Sequence, residues 1–220
     1  MKVSCGLDFI LVEDGKAYIS GVGSCTDEHL VIPSTYNGFP VVGICEKAFC
    51  RNNRIKSVAL PCSVAHIADQ AFAWCRNLEK VQFSAVEEIG NRAFTGCDKL
   101  VSVITGDFLT YIGDKAFAYC PAINSVTLPD SLRTIGISAF EGCRGLNSIT
   151  LSNRIKVIES GTFYACENLR QIKIPHDLSY IDDLAFAYCT SLSDVCLPSH
   201  TLVNTNAFFE CENILNNKVS

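Results

Sequence analysis

The sequence predicts an α/β repeat solenoid, with a parallel β-sheet on its concave face and short helical turns on its convex face. Two observations predict this fold: a phenylalanine recurs every 22 or 23 residues, and an alternating apolar segment follows each recurrence. A unit of this length cannot bury its apolar face alone. Neighbouring units must therefore stack and share one continuous core.

Eight phenylalanines in one register define the repeat. Each follows an alanine or threonine, and in all copies but the first a cysteine stands three residues later. A leucine or isoleucine stands a further three residues along in every copy. Such regular recurrence is typical of about eight stacked units. The phenylalanines are Phe49, Phe72, Phe94, Phe117, Phe140, Phe163, Phe186 and Phe208.

Each unit continues into a segment that is typical of a strand with one buried face. In one copy the apolar residues Ile123, Val126 and Leu128 are separated by polar ones, and Pro129 follows. Period-two alternation places the apolar side chains on one face. Proline ends the strand because it has no N–H to donate to a neighbouring strand.

The rest of the unit predicts a return across the stack. A second apolar pair follows the strand, and in three units a glycine comes directly after its isoleucine. We interpret these glycines as turn residues. The Ala-Phe segment then predicts one short helical turn on the convex side. The three glycines are Gly90, Gly113 and Gly136.

Residues 1–45 depart from the repeat and predict a capping region. Asp14 and Gly15 lie between two apolar segments and indicate a hairpin. We therefore predict a capping region with a hairpin at 1–45 and an array of about eight 22–23-residue units at 46–220, in a single continuous domain. Asn217 stands where other units have valine or isoleucine, which suits a terminal or truncated unit.

The unit resembles the repeats of the BspA-like (Treponema-type) leucine-rich repeat family. Those repeats run roughly Cys-x-x-Leu-x-x-Ile-x-Leu-Pro-x-x-Leu-x-x-Ile-Gly-x-x-Ala-Phe, and residues 120–140 match this pattern nearly in full. The likeness covers about residues 30–215. It implies a binding or adhesion module of the kind found in bacteria and some protozoa. Members are often displayed at the cell surface, and the family has no catalytic residues to transfer to this chain.

Composition and charge argue against two classes of partner. Hydrophobic residues make up 48% of the chain but are spread evenly. No apolar run approaches the roughly 20 residues that a membrane-spanning helix needs. The net charge is −5 and there is no basic tract, which disfavours nucleic acid and anionic membranes. Asp8 stands where the apolar core of a secretory signal would begin, so no signal peptide is predicted.

The thirteen cysteines allow two interpretations. The in-register cysteines can be small apolar fillers at a crowded position, or they can form a ladder of disulfides or metal ligands. Their odd number and their spacing favour the filler. Free thiols and the missing signal favour the cytoplasm, whereas the family resemblance suggests the cell surface or secretion. The in-register cysteines are Cys75, Cys97, Cys120, Cys143, Cys166, Cys189 and Cys211.

No motif predicts catalysis, a cofactor or a metal. The chain has no C-x-x-C motif, its four histidines are scattered, and it contains neither a nucleophile elbow nor a glycine-rich phosphate loop. The pairs Glu87-Glu88 and Asp182-Asp183 stand beside inward isoleucines, and we interpret them as solvated charge. The sequence therefore predicts a protein that is not an enzyme.

The outward positions of the predicted strands give the candidate binding site. Its centre is a neutral serine and threonine patch, flanked by basic residues. Solenoids commonly bind through their concave face, although cross-strand hydroxyl pairs also stabilise a sheet without any ligand. The predicted partner-binding residues are Lys80, Gln82, Ser102, Ile104, Ser125, Thr127, Ser148, Thr150, Gln171 and Lys173.

Three aromatic residues recur two positions after a repeat phenylalanine: Trp74, Tyr119 and Tyr188. Packing between units is the favoured interpretation, and an exposed anchor for a partner is the alternative. The leading functional prediction is a non-catalytic module for protein interaction or adhesion, with a protein, glycan or matrix partner. The alternatives are a structural array that self-associates end to end, or a repeat fragment of a larger surface protein.

Overall fold

A computed structural model of the chain describes residues 2–214. In this range the chain forms eighteen β-strands joined by turns, and no helix. The strands are β1 (Asp8–Val12), β2 (Lys16–Gly21), β3 (His29–Val31), β4 (Thr35–Tyr36), β5 (Phe39–Ile44), β6 (Ser57–Ala59), β7 (His66–Ile67), β8 (Lys80–Gln82), β9 (Glu88–Ile89), β10 (Ser102–Ile104), β11 (Tyr111–Ile112), β12 (Ser125–Thr127), β13 (Thr134–Ile135), β14 (Ser148–Thr150), β15 (Val157–Ile158), β16 (Gln171–Lys173), β17 (Tyr180–Ile181) and β18 (Leu202–Val203).

The strands form two rows of parallel pairs along the stack. The front sheet consists of three-residue strands in two parts, β3–β6–β8 and β10–β12–β14–β16, with a single bridge between Phe83 and Thr105 where the parts meet. The back sheet runs β1–β2–β5–β7–β9–β11–β13 and is followed by a separate group, β15–β17–β18. Equivalent residues of successive units stand opposite one another, as Tyr111 stands opposite Thr134.

The first strands differ from the repeat. β1 and β2 form an antiparallel hairpin, and β2 pairs in parallel with β5 at the start of the back sheet. β3 pairs in parallel with β6 and so extends the front sheet towards the N-terminus. The outermost strand, β1, leaves Ile10, Leu11 and Val12 exposed. The prediction about Asn217 lies outside the described residues.

The core is a stack of phenylalanine rings. Each repeat phenylalanine lies nearly parallel to the next, with ring centroids 5.0–5.7 Å apart and interplanar angles of 3–12°. All but Phe208 are fully buried. Leucine, isoleucine and valine from both rows of strands surround the stack and complete one continuous core. Stacked units therefore share their apolar faces, as the period predicts.

The prediction of short helical turns on the convex side is wrong, and the fold is a β-solenoid rather than an α/β one. Residues with positive φ flank each of the first seven repeat phenylalanines, as Lys115 (φ 54°) and Tyr119 (φ 57°) flank Phe117. A right-handed helix cannot contain such residues. The Phe117 N–H instead donates to Ala139 O in the next unit, at 2.8 Å. Bonds of this kind recur at the other repeat phenylalanines up to Phe186, so backbone donors join units rather than form helical turns.

The three glycines that follow the inward isoleucines allow close approach between units. None of them has a positive φ, so their role is not the conformational freedom of a turn. A β-carbon on Gly113 would stand 2.7 Å from both the backbone N and the Oδ1 of Asn91. That Oδ1 accepts the N–H of Asp114 at 2.8 Å. Glycine therefore leaves room for a ladder of side-chain oxygens that bind the next unit's backbone.

No helix that is long and apolar enough to cross a membrane occurs in the described part of the chain.

Candidate functional site

The ten predicted partner-binding residues lie on five strands of the front sheet, β8, β10, β12, β14 and β16. Nine are exposed and Ser102 is partly buried, while the middle residue of each strand points into the core. In-register pairing brings equivalent residues together, as Ser102 stands opposite Ser125 and Ile104 opposite Thr127. The ten residues therefore form two adjacent rows, interrupted between β8 and β10.

Two adjacent hollows lie on the N-terminal half of the front sheet. The first has a volume of about 290 Å³ and is lined by β3, β6 and β8. The second, of about 430 Å³, is lined by β8, β10 and the residues that follow them. Lys80 and Gln82 line both, and Ser102 and Ile104 line the second. The serine and threonine residues of β12 and β14 line neither, so these two hollows lie nearer the N-terminus than the centre of the predicted patch.

His29 is a residue of this surface that sequence reasoning missed. It lies on β3, opposite Ser57, and its Nδ1 is 2.8 Å from Ser57 Oγ. Ser57 in turn stands opposite Lys80. Because β3 belongs to the irregular N-terminal region, its place in the front sheet did not follow from the repeat register. One feature of the sequence could have indicated this place: residues 30–33 resemble residues 58–61, because both are apolar segments that end in proline.

The His29 and Ser57 pair does not form a catalytic triad. Between residues 2 and 214, no carboxylate forms a hydrogen bond with the His29 ring. A triad needs such a partner to orient the imidazole and to stabilise its charged form. Polar His29, Ser57 and Lys80 form one row, and Val31 and Ala59 form a largely apolar row beside it.

The cysteine column is a ladder of thiol hydrogen bonds. Each in-register thiol donates to the carbonyl of the repeat phenylalanine in the preceding unit, as Cys143 Sγ donates to Phe117 O at 3.2 Å. The seven distances are 2.9–3.3 Å. The column therefore fills a crowded position and also satisfies a buried carbonyl. Among the residues that the structure describes, no group of three or more side chains is arranged to hold a metal ion.

Burial raises the pKa of most of the column thiols. The pKa of Cys75 is raised to about 12 and that of Cys211 to about 11. Burial also raises the pKa of Cys97, Cys143 and Cys166 well above the ordinary value. The thiolate is the reactive form of cysteine, so these groups are chemically quiet at neutral pH.

We expect the column cysteines to resist alkylation in the native protein at pH 8, whereas the exposed Cys5, Cys62 and Cys196 react quickly. Mass spectrometry of the alkylated peptides measures both rates. Native column thiols that react as fast as Cys62 would contradict this expectation.

The same thiols make the stability of the fold depend on pH. The thiol of an unfolded cysteine has a pKa of about 8.5, whereas burial raises the pKa of native Cys75 to about 12. Between these two values the unfolded chain binds fewer protons than the native protein, so the free energy of unfolding should fall as pH rises.

The aromatic residues that recur two positions after a repeat phenylalanine pack against the next unit and are also partly exposed. The Trp74 ring lies against Gly96, and Tyr119 lies against Gly142, each in the following unit. Nevertheless Trp74 keeps 37% of its surface exposed and Tyr119 keeps 46%. Packing between units therefore leaves part of each ring exposed to solvent.

Short units, two rows of parallel strands and a continuous buried column of leucine, isoleucine and phenylalanine define a leucine-rich repeat solenoid. A family model described as a BspA type leucine rich repeat region matches six copies, over residues 25–132 and 110–220. The chain therefore belongs to the BspA-type leucine-rich repeat family. The resemblance inferred from the repeat pattern is confirmed.

Solved structures of bacterial proteins share this fold. The chain is similar to a leucine-rich repeat protein of Treponema pallidum, with a TM-score of 0.82 and 30% identity over 86% of this chain and 89% of that one. It is also similar to a leucine-rich repeat protein of Bacteroides ovatus, with a TM-score of 0.66 and 25% identity over 96% and 69%. The pneumococcal vaccine antigen PcpA shares the fold at 17% identity, with a TM-score of 0.53 over 91% and 70%. No curated protein sequence matches the chain.

Proposed function

We propose that the protein is a non-catalytic binding module that recognises a protein partner with the N-terminal half of its front sheet, the sheet predicted to be concave. Membership of a leucine-rich repeat family supports the general class, because stacked repeats create extended binding surfaces. The observation that carries the finer proposal is the pair of hollows that meet at Lys80 and Gln82.

The chemistry of the hollows favours a partner with apolar and acidic side chains. Ile104 has 59% of its surface exposed at the edge of the second hollow. An exposed aliphatic side chain beside a hollow gains free energy when a partner removes it from water. Lys80 lies between the two hollows, where its charge can attract a carboxylate and orient the partner. Hydroxyl side chains such as those on β12 and β14 favour a β-sheet without any ligand.

The variant Lys80→Glu with Ile104→Asp is expected to reduce capture of the specific partner at least tenfold, because it reverses the charge and removes the apolar contact. Affinity capture with the folded protein, followed by quantitative mass spectrometry, measures the loss. The matched control is Arg133→Glu with Thr134→Asp, which makes the same charge change at exposed positions beside and on back-sheet strand β13. Equal capture by both variants, or loss only in the control, would exclude the proposed surface.

A second candidate function is a structural array that self-associates. It is favoured by the exposed apolar residues of β1, which lies at one end of the back sheet, and by Leu202 of β18, which is 70% exposed. An open strand edge can pair with another chain. Sedimentation of the wild type and of the front-sheet variant separates the two functions. If the front-sheet variant captures no partner but still self-associates, the front sheet binds the partner and takes no part in self-association.

A further inference from the structure

A small polar pocket lies in the first two repeat units, in the turns that precede front-sheet strands β6 and β8. It has a volume of about 380 Å³ and is lined by Arg51, Asn53, Trp74 and Arg76. Arg51 and Trp74 are the second residues after their repeat phenylalanines, and Asn53 and Arg76 are the fourth. The same two positions of neighbouring units therefore build the pocket, and all four residues are exposed.

Two guanidinium groups give the pocket a positive charge that the protein neutralises only weakly. Arg51 forms no ion pair with any residue between 2 and 214. Arg76 Nε is 3.8 Å from Asp98 Oδ2, with 62% and 48% of these side chains exposed. An exposed pair at this distance contributes little. Both guanidinium groups are therefore available to an anion.

The indole of Trp74 forms an apolar wall of this pocket that the fold holds in place. The ring lies against Gly96, where any β-carbon would collide with it. The Trp74 N–H donates to Thr95 O at 2.7 Å, which ties its backbone to the next unit. Arg76 Cζ is 6.0 Å from the ring centroid, at the outer limit of a cation–π contact. The guanidinium is thus not seated tightly on the ring.

Asn53 adds a directional hydrogen-bond donor. Its Oδ1 accepts the backbone N–H of Arg76 at 3.0 Å, and this bond fixes the orientation of the side chain. Its Nδ2 donates to no protein atom in the described range. The pocket therefore offers an apolar ring surface, two cationic groups and one neutral donor, all held by two adjacent turns.

We propose that this pocket binds an acidic sugar, a pyranose ring that carries a carboxylate or sulfate group. Arginine binds such anions through paired N–H donors. The C–H face of a pyranose packs on an indole, and the Asn53 amide donates to a sugar hydroxyl. The volume fits a small ligand. A peptide is a poorer fit, because no strand borders the pocket to hydrogen-bond a peptide backbone.

A second hollow, in the equivalent turns of later repeat units, carries more negative than positive charge. It has a volume of about 280 Å³ and is lined by Tyr119, Arg144, Asp98 and Glu141, among others. Arg144 Nε is 3.0 Å from Glu167, and the Tyr119 hydroxyl donates to the Glu141 carboxylate. Carboxylates in this second hollow repel an anion. It therefore serves as an internal control, since it has an aromatic ring and an arginine at equivalent positions.

Tryptophan fluorescence tests the proposal directly, because Trp74 is the only tryptophan in the chain. The protein is titrated with sialyllactose, a sulfated heparin disaccharide and neutral lactose, and in parallel with inorganic sulfate and a glutamate-rich peptide. We expect a saturable change in fluorescence with at least one acidic sugar, at an affinity at least tenfold higher than for lactose. Sulfate alone or the peptide should bind more weakly than that sugar.

Variants identify the pocket as the site of binding. Arg51→Gln and Arg76→Gln are each expected to weaken sugar binding about tenfold or more, because each removes a charge-assisted pair of hydrogen bonds. Arg144→Gln is the matched control at the equivalent position of the second hollow, and it should bind as the wild type does. The proposal is overturned if neither acidic sugar gives a saturable change, if lactose or the peptide binds as well, or if both pocket variants retain full affinity.

Discussion

Phe117→Ala is expected to lower the free energy of unfolding by about 3–5 kcal/mol. The ring is fully buried and stacks between Phe94 and Phe140, at centroid distances of 5.3 and 5.4 Å. Alanine removes both contacts and leaves a cavity in the middle of the core. The units on either side are joined by backbone ladders and cannot collapse to fill it. The loss therefore falls on two interfaces between repeat units at once.

Chemical denaturation followed by circular dichroism measures this effect. Because stability in a repeat array depends on contacts between neighbours, the unfolding transition should also become less cooperative. Tyr119→Ala is the matched control, since Tyr119 lies in the same turn and has 46% of its surface exposed. It should cost about 1 kcal/mol or less. An unchanged midpoint for Phe117→Ala would refute the role of the ring stack.

Gly113→Ala is expected to cost about 2–3 kcal/mol, although alanine is only one methyl group larger. The new carbon would stand 2.7 Å from Asn91 N and from Gly90 C. Both are backbone atoms, so the units themselves must separate. The same shift would disturb the hydrogen bond from the Asp114 N–H to Asn91 Oδ1. A loss of packing and a loss of a hydrogen bond between units therefore act together.

The control for Gly113→Ala is Glu159→Ala, at the same position of another unit, four residues before its phenylalanine. Glu159 already has a β-carbon, and burial raises the pKa of its carboxyl group, so its removal relieves a desolvation cost. The expected change in unfolding free energy is within about 0.5 kcal/mol. Thermal unfolding of both variants gives the comparison. If the two variants had equal free energies of unfolding, close approach between units would not be the reason for glycine at position 113.

The sequence predicted the core better than the backbone around it. The phenylalanine register predicted the buried column and the family, because side-chain volume and period can be read directly from the chain. The same Ala-Phe segments suggested short helical turns that carry the chain back across the stack. Their backbone N–H groups instead donate to the next unit, as Phe117 donates to Ala139 O. Those partners lie about one repeat away, beyond the reach of local propensity.

The candidate site was predicted in part. Alternation placed all ten chosen residues on front-sheet strands. It did not indicate that the hollows lie at β3, β6, β8 and β10, or that His29 approaches Ser57. The pairing of β3 with β6 joins the irregular N-terminal region to the repeats. The pocket at Trp74 likewise depends on two turns whose side chains meet only after the units stack.

The sequence by itself determined that this protein is a leucine-rich repeat solenoid with a phenylalanine core and a column of small buried thiols. Period and apolar pattern suffice for that, because each unit must bury the same face. Only the tertiary structure decided that the turns around the repeat phenylalanines form a non-helical ladder, that glycines allow close contact between units, and where the hollows lie. These features depend on the distance and register between units. Hydrogen bonds and contacts between residues about 22 positions apart set that distance, and no single unit contains them.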